Sequence, residues 1–230
     1  MLLIPFAILV FGGCARLPEN SDRTTSFAYD QPAESKIGRQ WQNDFQDHPG
    51  QSAYYLLGDG YNALSARLVL ASLAEQTIDA QYYLWHADRV GGIFAGELRK
   101  AADRGVRVRL LLDDMGLEGR DVNLSVLDAH PNIEVRIFNP FGRNTSRVIQ
   151  FVTGMGKQTR RAHNKSFTVD NVASILGGRN IGNEYFFAHP ELQFYDLDVV
   201  TFGPVVEEVS GSCDQFWNHE LSYPVSSLVT

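Results

Sequence analysis

Residues 160–180 read RRAHNKSFTVDNVASILGGRN and place His163 two positions before Lys165. A neutral imidazole is a nucleophile, and an ammonium beside it attracts a phosphate and stabilises the charge that builds on its oxygens during a displacement. The same pair is a poor structural choice, because the lysine's charge opposes protonation of the histidine. Read as a strand, 163–170 turns His163, Lys165, Phe167 and Val169 to one side and Asn164, Ser166, Thr168 and Asp170 to the other, with His163 and Lys165 roughly 7 Å apart along the backbone. Further on, Gly177 and Gly178 let backbone approach closely, and Asn180 offers a neutral donor for a phosphate oxygen. A lone His-x-Lys says little. The whole string, with Asp170, the glycine pair and Asn180 at fixed gaps, is specific.

Other candidate groups carry less. Asp113 and Asp114 close the run RLLLDD and could suggest a metal pair, but no third acidic or histidine partner follows at ligand spacing, so neither a metal nor another cofactor is expected. Cys213 reads as a small buried apolar residue on a helix. Asn183 and Glu184 read as a solvated loop. Between Val135 and Val169 stand Arg136, Arg143, Arg147, Lys157, Arg160, Arg161 and Lys165 with no Asp or Glu, a local positive stretch suited to phosphodiesters or an anionic bilayer. The chain as a whole is acidic, with net charge -7 and a sequence pI near 5.3. Its aromatics are dispersed through core-like strands, not interleaved with cations, which argues against nucleic acid as a partner.

These groups need a scaffold, and the chain supplies one. With 44% hydrophobic, 11% aromatic and 20% charged residues it has the balance of a globular domain with a real core. YNALSARLVLASLAEQ repeats apolar residues (Leu64, Leu68, Ala71, with Leu57 before them) at helical spacing, and TIDAQYYLW follows as a strand. GGIFAGELRKAADRG and RDVNLSVLDAHPN predict helices; VRVRLLLDD and IEVRIFN predict strands, the first buried on both faces. After a loop-like stretch from 140, HNKSFTVD, VASILGG and LDVVTFG predict three more strands, and Val205–His219 predicts a helix with a stripe through Val206, Val209, Cys213 and Trp217. The fold expected is α/β with a mixed or mostly parallel sheet. The expected boundaries are a signal peptide at 1–13, a tether at 14–50 holding one short helix near 37–45, a domain at 51–222 and a tail at 223–230.

The motif of 163–180 resembles the HKD signature of the phospholipase D superfamily. DAQYYLW, AADRGVRVRLLLDD, DAHPNIEVRIFNPF, GGRNIGNEYF and LDVVTFGPVV extend the resemblance to the first half of bacterial cardiolipin synthases and phospholipase D-like lipoproteins. It implies a phospholipase D-like mixed β-sheet flanked by helices on both faces, carrying one HKD half-domain. By the same resemblance His163 would be the nucleophile that forms a phosphohistidine, and Lys165 and Asn180 would hold the phosphate oxygens beside Gly178, where many members have Ser. Asp196 would accept a hydrogen bond from the far nitrogen of the imidazole, with Asp198 as the fallback. Asp170 belongs to the catalytic motif, although it lies on the face opposite His163 and reads as structural support.

Superfamily enzymes need a second histidine to protonate the leaving oxygen. The remaining histidines, His48, His86, His130, His189 and His219, are not followed at two places by lysine. Three readings stay open: the front half of a phosphatidyl-transferring enzyme acting on phosphatidylglycerol or phosphatidylethanolamine, a homodimeric phosphodiesterase or nuclease with one motif per copy, or an inactive remnant on a membrane. The start, MLLIPFAILVFGGCARLPEN, resembles a bacterial lipoprotein leader with Cys14 as the lipidated residue, which implies a membrane-anchored protein on the periplasmic side of the cell envelope.

Overall fold

The computed structural model describes residues 17–21, 23–117, 121–143, 146–153 and 158–229. The leader, Cys14 and Lys157 lie outside them. In chain order the elements are α1 (Lys36–Asp44), β1 (Ala53–Leu57), α2 (Gly60–Leu73), β2 (Thr77–Tyr82), α3 (Arg89–Asp103), β3 (Arg107–Asp113), α4 (Asp121–Asp128) and β4 (Ile133–Phe138). Then come α5 (Arg147–Thr153), β5 (Ser166–Val169), β6 (Ala173–Gly177), β7 (Asp198–Phe202), α6 (Val205–Trp217) and β8 (Ser222–Pro224). Among the described residues the strands form one sheet in the order β1-β7-β6-β5-β2-β3-β4-β8.

β2, β3 and β4 are parallel, linked by α3 and α4 as crossovers, and β2 is buried along its whole length. β5 joins β2 antiparallel, and β6, β7 and β1 continue antiparallel on that side. The alternating helix and strand pattern is therefore realised as a mixed sheet, with α2 and α3 on one face and α6 packed across β2, β5, β6 and β7 on the other. α2 and α3 each start where the sequence offers a cap: Asp59 accepts the N–H of Asn62, and Asp88 that of Gly91.

Several expectations change. β1 and β8 were not expected; both are edge strands, β8 has only three residues, and AYYLL of β1 is exposed at three successive positions and shows no alternation. α5 lies inside the stretch read as loop. The stretch 17–50 is not a tether along its described part. Arg109 and Asn218 donate to the carbonyl of Ser26, Trp217 Nε1 to its hydroxyl, and Asp214 accepts the N–H of Ala28. The polar side of α6 thus satisfies a backbone that would otherwise need water. Nor is 223–230 a free tail: β8 pairs with β4, and Val225 and Leu228 are buried.

Asp170 fixes the register of the inserted hairpin. It and Asn171 adopt positive φ (51° and 52°) in the turn between β5 and β6, a conformation that Asp and Asn tolerate. The Asp170 carboxylate accepts the N–H groups of Glu75, Gln76 and Thr77, at 3.0, 2.8 and 2.8 Å, just as the chain enters β2. This places it at the start of β2, about 13 Å of strand away from Ser166. Asp170→Ala would leave three N–H groups without their acceptor and should lower unfolding free energy by about 3 kcal/mol. Urea unfolding measures it; a change within error would show that the hairpin's register is held by other contacts.

Candidate active site

The strand registers bring the motif to one end of the sheet. Ser166, the first residue of β5, faces Gln81 near the end of β2. Leu176 of β6 faces Ser166, and Gly177 faces Asp198 at the start of β7. His163 to Lys165, Gly178 to Asn180 and Asp196 therefore all lie just beyond the same edge. The approach to His163 is held from the other side as well. Asp113, at the end of β3, accepts the N–H of Ala162 at 2.8 Å and pairs with Arg161 at 3.1 Å.

His163 and Lys165 precede β5 instead of lying on it, so strict strand alternation does not govern them. Their side chains meet all the same. Lys165 Nζ lies 3.1 Å from His163 Nδ1 and 3.3 Å from Nε2, and donates to the His163 carbonyl at 2.8 Å. The Tyr83 ring lies 4.5 Å from the imidazole, and Lys165 Nζ sits 5.4 Å above the same ring. His163 is exposed, whereas Lys165 is only 6% exposed and has no ion pair among the described residues. A buried ammonium without a carboxylate partner is a site waiting for an anion. Burial and then the Lys165 charge hold the His163 pKa below its ordinary value, so the imidazole is neutral and nucleophilic at neutral pH. Burial lowers the Lys165 pKa, with Asp196 pulling the other way.

Asn180 reaches the site as a clamp. Its Oδ1 accepts the N–H of Leu84 and its Nδ2 donates to the Tyr185 hydroxyl at 2.9 Å, which leaves a second amide hydrogen for another acceptor. Around it, Trp85 and Ile181 form a parallel bridge. Gly177 and Gly178 differ in what they tolerate. A Cβ on Gly177 would come within 2.6 Å of the Asp198 Cα and the Leu197 carbonyl, which are backbone. A Cβ on Gly178 would meet only the exposed Asp196 carboxylate, at 2.0 Å, which has room to swing outwards.

The two expected orienting carboxylates do not reach His163. Asp196 is exposed, accepts the N–H of Leu197, and acts on the site through its field on Lys165 and Tyr185. Asp198 is buried in the opposite direction, paired with Arg67 at 2.9 Å and Arg179 at 3.5 Å. Asp170, part of the catalytic motif, is remote from the imidazole, for the register reason given above. Asn183 and Glu184 are not a solvated loop: Asn183 Oδ1 accepts the N–H of Val90, and the buried Glu184 pairs with His86 at 3.0 Å. The basic stretch is largely neutralised from within. Arg143 and Arg147 pair with Asp114, Arg161 with Asp113, and the buried Arg136 lies over the Trp217 ring.

Asp113 and Asp114 hold these arginines and nearby N–H groups, so they do not face one another as ligands of one ion. Among the described residues His86, Asp88 and Glu184 have ligand atoms within 4.8 Å of one another, but Asp88 accepts two backbone N–H groups and Glu184 is engaged by His86. Burial pushes the Cys213 thiol up to about 12, which removes it as a nucleophile. Sequence reasoning missed Tyr83, Tyr185 and the anchoring role of Asp113. The aromatic pair in QYYLW at the end of a strand was the available signal for Tyr83.

Residues 69–217 match the family described as "Cardiolipin synthase, PLD-like domain". The chain belongs to the phospholipase D-like family. It is 49% identical over 182 residues to cardiolipin synthase C of Escherichia coli K12, covering 79% of this chain and 38% of that protein. The chain thus spans well under half the length of that relative. Two solved structures share the fold. Nuc from Salmonella typhimurium, a phospholipase D family member, superposes with a TM-score of 0.54 at 19% identity, over 76% of this chain and 98% of Nuc. Phosphatidylserine synthase from Haemophilus influenzae Rd KW20 does so with a TM-score of 0.56 at 14% identity, over 83% of this chain and 43% of that one.

Replacing Lys165 by Met removes the neighbouring cation. The His163 pKa should then rise towards the ordinary 6.5, as followed by NMR titration of the ring protons. The parent nucleophile should correspondingly stay unprotonated to lower pH than an ordinary histidine. An unmoved or lowered midpoint in the Met variant would refute the electrostatic role of Lys165.

Proposed function

We propose that this phospholipase D-like domain exchanges the phosphodiester of a glycerophospholipid, with phosphatidylglycerol or phosphatidylethanolamine as substrate, in the manner of a cardiolipin synthase. The observation that carries this reading is a neutral, exposed imidazole within 3.1 Å of a buried ammonium that lacks a carboxylate partner. A ring nitrogen of His163 attacks phosphorus, the bond to the leaving alkoxide breaks, and that oxygen takes a proton from an acid. The acceptor, water or the hydroxyl of phosphatidylglycerol, then loses its proton to the same base, attacks phosphorus and frees His163. Lys165 and the remaining amide hydrogen of Asn180 offset charge on the non-bridging oxygens.

The acid is the missing part. With His163 open to solvent, the reading places the second histidine on another segment or subunit. The identity to cardiolipin synthase C supports lipid chemistry in a two-motif enzyme. The coverage of Nuc over nearly its full length supports a second reading, in which two copies of one such unit meet and each supplies His163. Anchoring in the cell envelope through a lipidated Cys14 rests on the leader's residues alone. Among the described residues no helix is long and apolar enough to cross a membrane.

Turnover of phosphatidylglycerol vesicles, measured beside the oligomeric mass, tests this. His163→Ala should reduce turnover at least about a thousandfold with an unchanged melting temperature. Alkaline quench of the parent should trap a phosphorylated peptide containing His163. Full turnover in the alanine variant would end the nucleophile assignment. Activity that rises with the dimer fraction selects the two-copy reading, and an inert monomer points to a separate second half.

A further inference from the structure

The crossover helices do not close on one another evenly. α2 packs against α3, but α3 and α4 leave between them a cavity of about 730 Å³, whose lining includes Trp85 and Leu110 together with Leu124 and Leu127 of α4. That is the size of a small-molecule site, and its walls are mainly apolar. α3 contributes Gly92 and Gly96 to the lining. Glycine is disfavoured inside a helix, and here the protein's own packing does not explain it. Gly91 is required, because a Cβ there would strike the carbonyl of His86 at 1.8 Å. A Cβ on Gly92 or Gly96 would meet no atom of the described residues within 4 Å, and neither residue has positive φ. The two glycines leave the trough between the helices open.

The groove also carries an unspent charge. Arg99, one turn beyond Gly96, borders the cavity, is exposed, and has no ion pair or hydrogen bond to the described residues. An apolar trough with a guanidinium at its rim matches a ligand with a long hydrocarbon chain and one anionic head. We infer that the α3–α4 cavity binds a long-chain fatty acid, its chain between the helices along Gly92 and Gly96 and its carboxylate on Arg99. His163 is not among the residues lining the cavity, and this binding does not depend on the chemistry there.

The test uses the full 230-residue chain and palmitate, followed by displacement of a fluorescent fatty acid. The parent should bind one palmitate. Gly92→Leu with Gly96→Leu should fill the trough and weaken palmitate binding by at least about tenfold, while the melting temperature holds or rises, since leucine favours helix over glycine. Arg99→Gln, a surface change that spares the fold, should weaken palmitate but leave hexadecanol binding unchanged. The inference fails if the parent does not bind palmitate or if the filled variant binds it as the parent does. It also fails if Arg99→Gln has no effect on palmitate, or if lysophosphatidylglycerol is bound in preference.

Discussion

Three hydrogen bonds to one carboxylate set the geometry on which everything at the site depends. Asp170 holds the N–H groups of residues 75–77 and thereby locks an antiparallel hairpin, β5–β6, against a strand that otherwise belongs to a parallel sheet. A slip of one residue would turn every side chain of β5 to the other face. With the register fixed, the segment before β5 and the segment after β6 emerge at the same edge, which is also where β7 begins. The motif's aspartate and its histidine are thus linked by strand geometry and not by contact. That explains how a residue remote from the chemistry can belong to the same sequence string.

Electrostatics then separates Lys165 from its neighbours. Arg143, Arg147 and Arg161 are tied to Asp113 and Asp114, and Arg136 is sealed beneath Trp217, so these cations brace the loops around the site. Lys165 is buried with an imidazole, a carbonyl and an aromatic face around it, and it has no ion pair among the described residues. A cation in that position keeps His163 neutral and can gain its own counter-charge only from outside. The same arrangement therefore lowers the pKa of the imidazole and leaves a buried positive charge beside it.

How much of this was legible depended on whether the relevant signal was local. The alternating helices and strands, the HKD string and the burial of Cys213 could be read because periodicity and spacing are properties of contiguous residues. Edge strands β1 and β8 could not, because AYYLL shows no alternation and β8 has only three residues, and the anchoring of Ser26 and Ala28 could not, because their partners, Arg109, Asp214 and Trp217, are distant in sequence. The carboxylates show the division most clearly. By itself the sequence determined which residue types stand near the nucleophile, namely His163, Lys165, Asn180 and several aspartates. Only the tertiary structure decided that Asp113 anchors the approach to His163, that Asp198 neutralises Arg67 in the core and that Asp196 points to solvent, because a carboxylate's role is set by which donors surround it, and those donors come from strands that meet only after folding.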